Sequence, residues 1–356
     1  MAMIMCLSLF TACSQAGGDT SDNTDNAGIT VDVPQKDYNH LTGMPFEDGR
    51  DKSVRPVAVM VNNAKIALPQ YGLSSADIIY EAVTEGGITR LMALYSDIND
   101  IDRVGPVRSA RHQFVEMMLP LNAIYVHIGS SISANRLLNA YSYQDIDGIY
   151  LGQQAFFFDS EMAKTKSREH CWFTTKDLIN AGIAKNGIGT KNNFYPAFDF
   201  VEYGTEERIP DDGVAMSFTY EYSGYADVGF TYDEATGRYL KSAFGIPHMD
   251  AGTNQQLSFD NVFLVLTEVG IEEENGILPD FAFDSGIGYY FYGGKYEKFT
   301  WEKGEPENPM IMYDAEGEVL KVNPGTSYVG LLDIEQTPTL AVSQEVQTAA
   351  SVERVQ

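Results

Sequence analysis

Four arginines, Arg90, Arg103, Arg108 and Arg111, fall in "GGITRLMALYSDINDIDRVGPVRSAR", residues 86–111. The chain around them has 356 residues and a formal net charge of −26, so a local surplus of cations needs a cause. Guanidinium groups are planar, permanently charged donors that grip carboxylate or phosphate through paired hydrogen bonds. One candidate chemistry is anion capture by Arg90, Arg108 and Arg111, with Glu81 and Glu85 orienting the guanidiniums and His127 lining the cleft. The competing cause is an internal ion network in which Glu81, Glu85 or Asp97 neutralises the arginines. Both stay open at this level.

An enzyme at the same place would use the arginines to stabilise developing charge and Glu85 or His127 as base. The other reactive side chains make poorer patterns. His248 and Asp250 in "HMD" offer two metal ligands on one strand face but no third. Cys171 follows His170 in "REHCWFTT", yet strand neighbours face opposite ways, so Cys171 reads as a buried, inert thiol. Ser130 and Ser131 lack the GxSxG of a hydrolase elbow, and "EGGITR" lacks P-loop or dinucleotide spacing. No cofactor is expected, and no catalytic residue can be named.

These residues need elements to hold them. From Arg55 to about Gly189, strand-like runs ("PVAVMV", "ITRLMALY", "AIYVHIG") alternate with helical patterns. "SSADIIYEAVTE" predicts a helix with Ile78, Ile79 and Ala82 at helical spacing, which sets Glu81 and Glu85 one turn apart. "GPVRSARHQFVEMML" predicts a helix from Pro106, with Arg108 and Arg111 heading a stripe continued by Val115 and Met118. "SISANRLLNAY" is a further helix, and "TTKDLINAGIAKNG" has a Thr cap and a Gly exit. From about Asp211 to Asp333 the texture becomes β. In "YFYGGKYEKFTW" a Gly-Gly turn joins aromatic runs, with Phe299 and Trp301 on one face and Lys298, Thr300 and Glu302 on the other. The fold class is an α/β amino-terminal domain followed by a mainly antiparallel β carboxy-terminal domain.

Composition narrows the setting. The acidic balance disfavours a nucleic-acid partner, because phosphate binding requires a basic face. "MAMIMCLSLFTAC" is a short apolar run ending in small residues before Cys13. It reads as a secretory signal with a lipobox whose cysteine is lipidated, against the alternative of an ordinary buried helix. The expected layout is a signal segment at 1–12, a flexible tether at 13–38, the α/β domain at 39–200, the β-rich domain at 201–335 and a loose tail at 336–356.

The stretches "RPVAVMVNNAKIALPQYGLSSADIIYEAVTEGGITRLMALYSD", "DRVGPVRSARHQFVEM", "AIYVHIGSS", "GIPHMD" and "GGKYEKFTWEKG" together resemble the YerB-like lipoproteins, across about residues 40–333. That resemblance implies a lipid-anchored, two-domain protein on the outer face of the bacterial cytoplasmic membrane, with no assigned catalytic residues. The expected partners are the membrane, through the anchor, and an anionic envelope ligand or an envelope protein. An interaction module built on the aromatic β domain is the third functional class.

Overall fold

The structure, a computed structural model, describes residues 38–46, 53–191, 194–272 and 276–346. Cys13, the signal segment and the tether up to residue 37 lie outside the described residues.

In chain order the main elements begin with β1 (Val57–Asn62), β2 (Ile78–Val83), β3 (Thr89–Tyr95), α1 (His112–Met118) and β4 (Ile124–His127). They continue with α2 (Ile132–Ala140), β5 (Ile146–Asp147), α3 (Gly148–Leu151) and α4 (Lys176–Asn186). Next come β6 (Ser217–Ser223), β7 (Ala226–Asp233), β8 (Arg238–Ala243), β9 (Ile246–Pro247) and β10 (Asn261–Thr267). The last are β11 (Ser285–Tyr292), β12 (Lys295–Glu302), β13 (Ile311–Tyr313), β14 (Ser327–Asp333) and β15 (Ala341–Ser343). The amino-terminal region is thus mixed α/β, and the carboxy-terminal region is mainly antiparallel strands.

An eleven-stranded sheet has the order β13-β12-β11-β10-β14-β2-β3-β1-β4-β5, with Gly213–Val214 added to β12. β14 pairs in parallel with both β10 and β2, so strands of both regions share one sheet. A six-stranded sheet, β9-β8-β7-β6-β15 with Ser258–Phe259 on β8, covers part of one face. There Phe218, Tyr220, Phe230 and Tyr239 pack with Ile79, Leu264 and Tyr328. On the other face Phe114, Val115 and Met118 of α1 and Leu138 of α2 pack with Met60, Met92, Tyr125 and Phe263.

Several local signals act as predicted. Thr175 Oγ1 accepts from Leu178 N to cap α4, and Gly187, at φ 64°, ends it in the left-handed conformation. Gly293 and Gly294, at φ 60° and 76°, turn β11 into β12, where Phe299 and Trp301 are buried while Lys298, Thr300 and Glu302 are exposed.

Three expectations are corrected. "ADIIYEAV" is not helical: it is β2, a central strand between β14 and β3, and burial on both faces erases the period-two signal that would mark a strand. The helix expected from Pro106 begins at His112, because residues 106–110 give their backbone groups to neighbouring strands, with bridges at Val107 and Ala110. Part of the expected loose tail is built in, since Ile334–Thr339 forms a 3-10 helix and β15 pairs with β6.

Candidate functional site

β1 and β4 pair directly only from Val57–Val59 to Ile124–Val126. Beyond that point the strands separate and residues 106–110 lie between them. Asn62 N donates to Pro106 O and Arg108 N to Met60 O on one side. Ile128 N donates to Arg108 O and Ala110 N to Gly129 O on the other. The arginine segment is therefore a wedge between the carboxyl ends of two parallel strands, the place where open α/β sheets form ligand crevices.

Arg90 stands opposite Asn62 in the β1–β3 register, which brings it to the same end of the sheet. It is 2% exposed, and its Nη1 donates to Ser109 O at 2.8 Å and its Nη2 to Glu85 Oε1 at 3.1 Å. Arg111 grips Glu85 as a fork, Nε to Oε2 at 2.9 Å and Nη2 to Oε1 at 2.5 Å, while its Nη1 donates to Ala110 O. Burial alone would raise the Glu85 carboxyl; the Arg111 hydrogen bonds and the charges of Arg90 and Arg111 overcome it and hold the group down to about 2. Burial, followed by the nearby Arg111, pulls the Arg90 guanidinium down to about 10, with Arg108 adding to the effect and Glu85 opposing it.

Arg108 is different. Among the described residues its guanidinium makes one long hydrogen bond, Nη1 to Glu169 O at 3.5 Å, and its buried Nε has no partner. Burial lowers its pKa against the charges of Glu169 and Glu85. Two more orphaned buried atoms sit on neighbouring residues. Gln113 Oε1 is one, on the first turn of α1 after Arg111; the other is Tyr125 Oη, whose ionisation feels Arg90 and Arg111. Buried polar atoms without partners are uncommon in folded proteins.

Other candidates are placed elsewhere. Glu81 is not on a helix with Glu85: on β2 it faces the six-stranded sheet, opposite to Arg90. Its Oε1 accepts from Asn63 and Thr89, and its Oε2 from Tyr328 and from Lys241 at 3.2 Å. His127 does not open into a cleft, since its two ring nitrogens meet Gly129 O and Asp145 Oδ2 and the ring is buried. Both bases named for an enzyme, Glu85 and His127, are thus engaged. Asp97 caps its own turn through Asn99 N. Arg103 lies apart, paired with Asp159 and stacked 3.9 Å over both Tyr71 and Phe173.

His248 and Asp250 are held by different partners. His248 contacts Lys241 Nζ and Gln70 Oε1, while Asp250 accepts from Ser74. No group of three or more His, Cys, Asp or Glu side chains placed to hold a metal ion occurs among the described residues. Cys171 is a buried free thiol whose pKa burial raises, and Sγ donates to Ser167 O. Ser131 caps α2 and its hydroxyl meets Ser133, not a histidine. His170 accepts at Nδ1 from Asn62 Nδ2 at 2.6 Å, which leaves its proton on Nε2 when the ring is neutral.

Comparison with known proteins agrees with this architecture. Residues 41–189 match a family model described as "Protein of unknown function (DUF3048) N-terminal domain", and residues 216–329 match its C-terminal counterpart. A relative from Bacillus subtilis (strain 168), "Putative lipoprotein YerB", is 28% identical over 82% of this chain and 85% of its own length. The crystal structure of the YerB protein from Bacillus subtilis superposes with a TM-score of 0.74 at 26% identity, covering 86% of this chain and all of that one. The chain belongs to the YerB-like family. Within this YerB-like fold, sequence reasoning missed Asn63, Gln70, Lys241 and Tyr328, which with Glu81 and His248 form a buried polar chain between the two sheets. The available signal was "VNN": Asn62 ends an otherwise apolar strand and Asn63 follows it.

Proposed function

We propose that this protein is a lipid-anchored, extracytoplasmic binding or assembly factor that holds an anionic envelope ligand at Arg90, Arg108 and Arg111. The observation that carries the reading is the state of the arginines: Arg90 and Arg111 share one carboxylate, Glu85, while Arg108, which feels Glu169 and Glu85 without a close ion pair, keeps an orphaned Nε. A phosphate or carboxylate oxygen would supply the missing acceptor. The occupied atoms of Glu85 and His127 favour binding over acid–base chemistry. The relative's name as a lipoprotein supports the anchor, as does the expectation at Cys13. No helix among the described residues is long and apolar enough to cross a membrane, so the anchor would carry attachment.

Thermal unfolding in the presence of inorganic phosphate tests this. At ten times the dissociation constant, wild type gains about 1.4 kcal/mol, which raises Tm by about 3 °C at constant ionic strength. Arg108→Ala loses that shift. Equal shifts in both proteins, or none in either, remove the reading.

A further inference from the structure

The surroundings of the arginines carry information about the rest of the ligand. Gly129 adopts a left-handed φ of 76°, and a Cβ placed there would lie 3.4 Å from Ser109 Oγ and 3.6 Å from Ile149 Cγ1. Ile149 therefore flanks Ser109, the residue whose carbonyl holds Arg90. On the next turn of chain, Ser131 N donates to Ala110 O, so Ile132 begins α2 one residue beyond that contact. Ile132 is 62% exposed, Ile149 66% and its neighbour Tyr150 79%. Isolated exposed apolar side chains are ordinary. Three large ones on two chain segments that border Ser109, Ala110 and Gly129, next to Arg108 and Arg111 in the chain, place exposed apolar residues beside the positive cluster. Their charge complement is an anion with a hydrocarbon chain attached.

We infer that the ligand is a lipid phosphate, its phosphate on Arg108 and Arg111 with the buried Arg90 adding its charge, and its hydrocarbon chain lying across Ile132, Ile149 and Tyr150. This rests on the anion-binding reading above. Arg90 and Arg111 share the single carboxylate of Glu85, and Arg108 feels Glu169 as well as Glu85, so the three guanidiniums still outnumber the two carboxylates beside them and the site stays net positive. A phosphate, with its three terminal oxygens, offers more acceptors to such a cluster than a carboxylate does. An anchored protein meets lipid phosphates at the surface of its own membrane.

The test is a series of soluble alkyl phosphates, from inorganic phosphate through methyl and butyl to octyl phosphate, titrated into the protein. Each methylene that becomes covered tightens binding by about fourfold, and the gain stops where the chain outruns the three side chains. The triple variant Ile132→Ser, Ile149→Ser, Tyr150→Ser binds inorganic phosphate as wild type does but loses the dependence on chain length. All three positions are exposed, so folding is retained, which the unfolding temperature checks. Arg108→Ala weakens every member of the series. A second arm sediments the protein without its lipid with phosphatidylcholine vesicles, with and without phosphatidic acid; retention by the acid-containing vesicles alone, lost in the triple variant, assigns the phosphate to a lipid.

If phosphate binds but affinity ignores chain length, or phosphatidic acid adds no retention, the lipid inference is overturned while the anion reading stands. If no member of the series binds, both fall. Octyl phosphate binding that survives in Arg108→Ala also overturns the inference, because the head group would then go unread.

Discussion

Glu85 holds Arg90 and Arg111 together, and their charges and hydrogen bonds hold its carboxyl well below its ordinary value. A carboxyl held down to about 2, from an ordinary 4.5, stabilises the fold above pH 4.5, and the contribution is lost as pH falls through 2. Its side chain is 30% exposed, so screening discounts the effect to about 1–2 kcal/mol. Glu85→Gln should therefore lower stability at pH 7 by about that amount and flatten the acid limb of a stability–pH curve measured by urea unfolding; an unchanged limb contradicts the network. The pairing of Glu85 with Arg90 and Arg111 was legible in residue types and proximity along the chain. The exclusion of Glu81 was not, because it depends on which face of a strand each residue takes, and one misassigned element turns Glu81 from an arginine partner into the partner of Lys241.

α2, α4 and the β11–β12 hairpin were readable because caps and Gly-Gly turns are local chemistry. β2 and the wedge at residues 106–110 were not, since their conformation is set by strands remote in sequence. The contact between sheets makes a second prediction. Lys241 on β8 and Glu81 on β2 are each 1% exposed and lie 3.2 Å apart; burial lowers the Lys241 pKa and Glu81 opposes that shift. Lys241→Ala leaves Glu81 buried without its cation and should cost about 3–5 kcal/mol, whereas Glu81→Leu with Lys241→Met should recover much of the loss. Chemical denaturation of the three variants decides it, and a double variant no better than the single would contradict the pairing.

Another pair sits where α1 meets the β12–β13 connection. Burial pushes Glu116 up to about 7 and Lys303 down to about 8, beside a small cavity of about 30 Å³ lined by Met117, Met310 and Met312. A raised carboxyl stabilises fully below its unfolded value and loses that contribution as pH rises through 7. A lowered lysine adds stability as pH rises above 8. Stability should pass through a shallow minimum between those values, and Glu116→Gln should remove its acid-side slope.

For the whole molecule, the acidic charge and the mixed architecture were readable from composition and texture. The sharing of one sheet through β14 was not, because it joins segments separated by most of the chain. Anchoring belongs to this scale too: mass spectrometry of membrane-extracted protein should find a mature chain starting at a lipid-modified Cys13, and any other start contradicts the anchor. The central claim is that clustered guanidiniums await an anion, and calorimetric titration of inorganic phosphate into wild type and Arg108→Ala tests it most directly. Saturable one-to-one binding to wild type is expected, weakened at least tenfold by the substitution. Heats that are indistinguishable between the two proteins would contradict it.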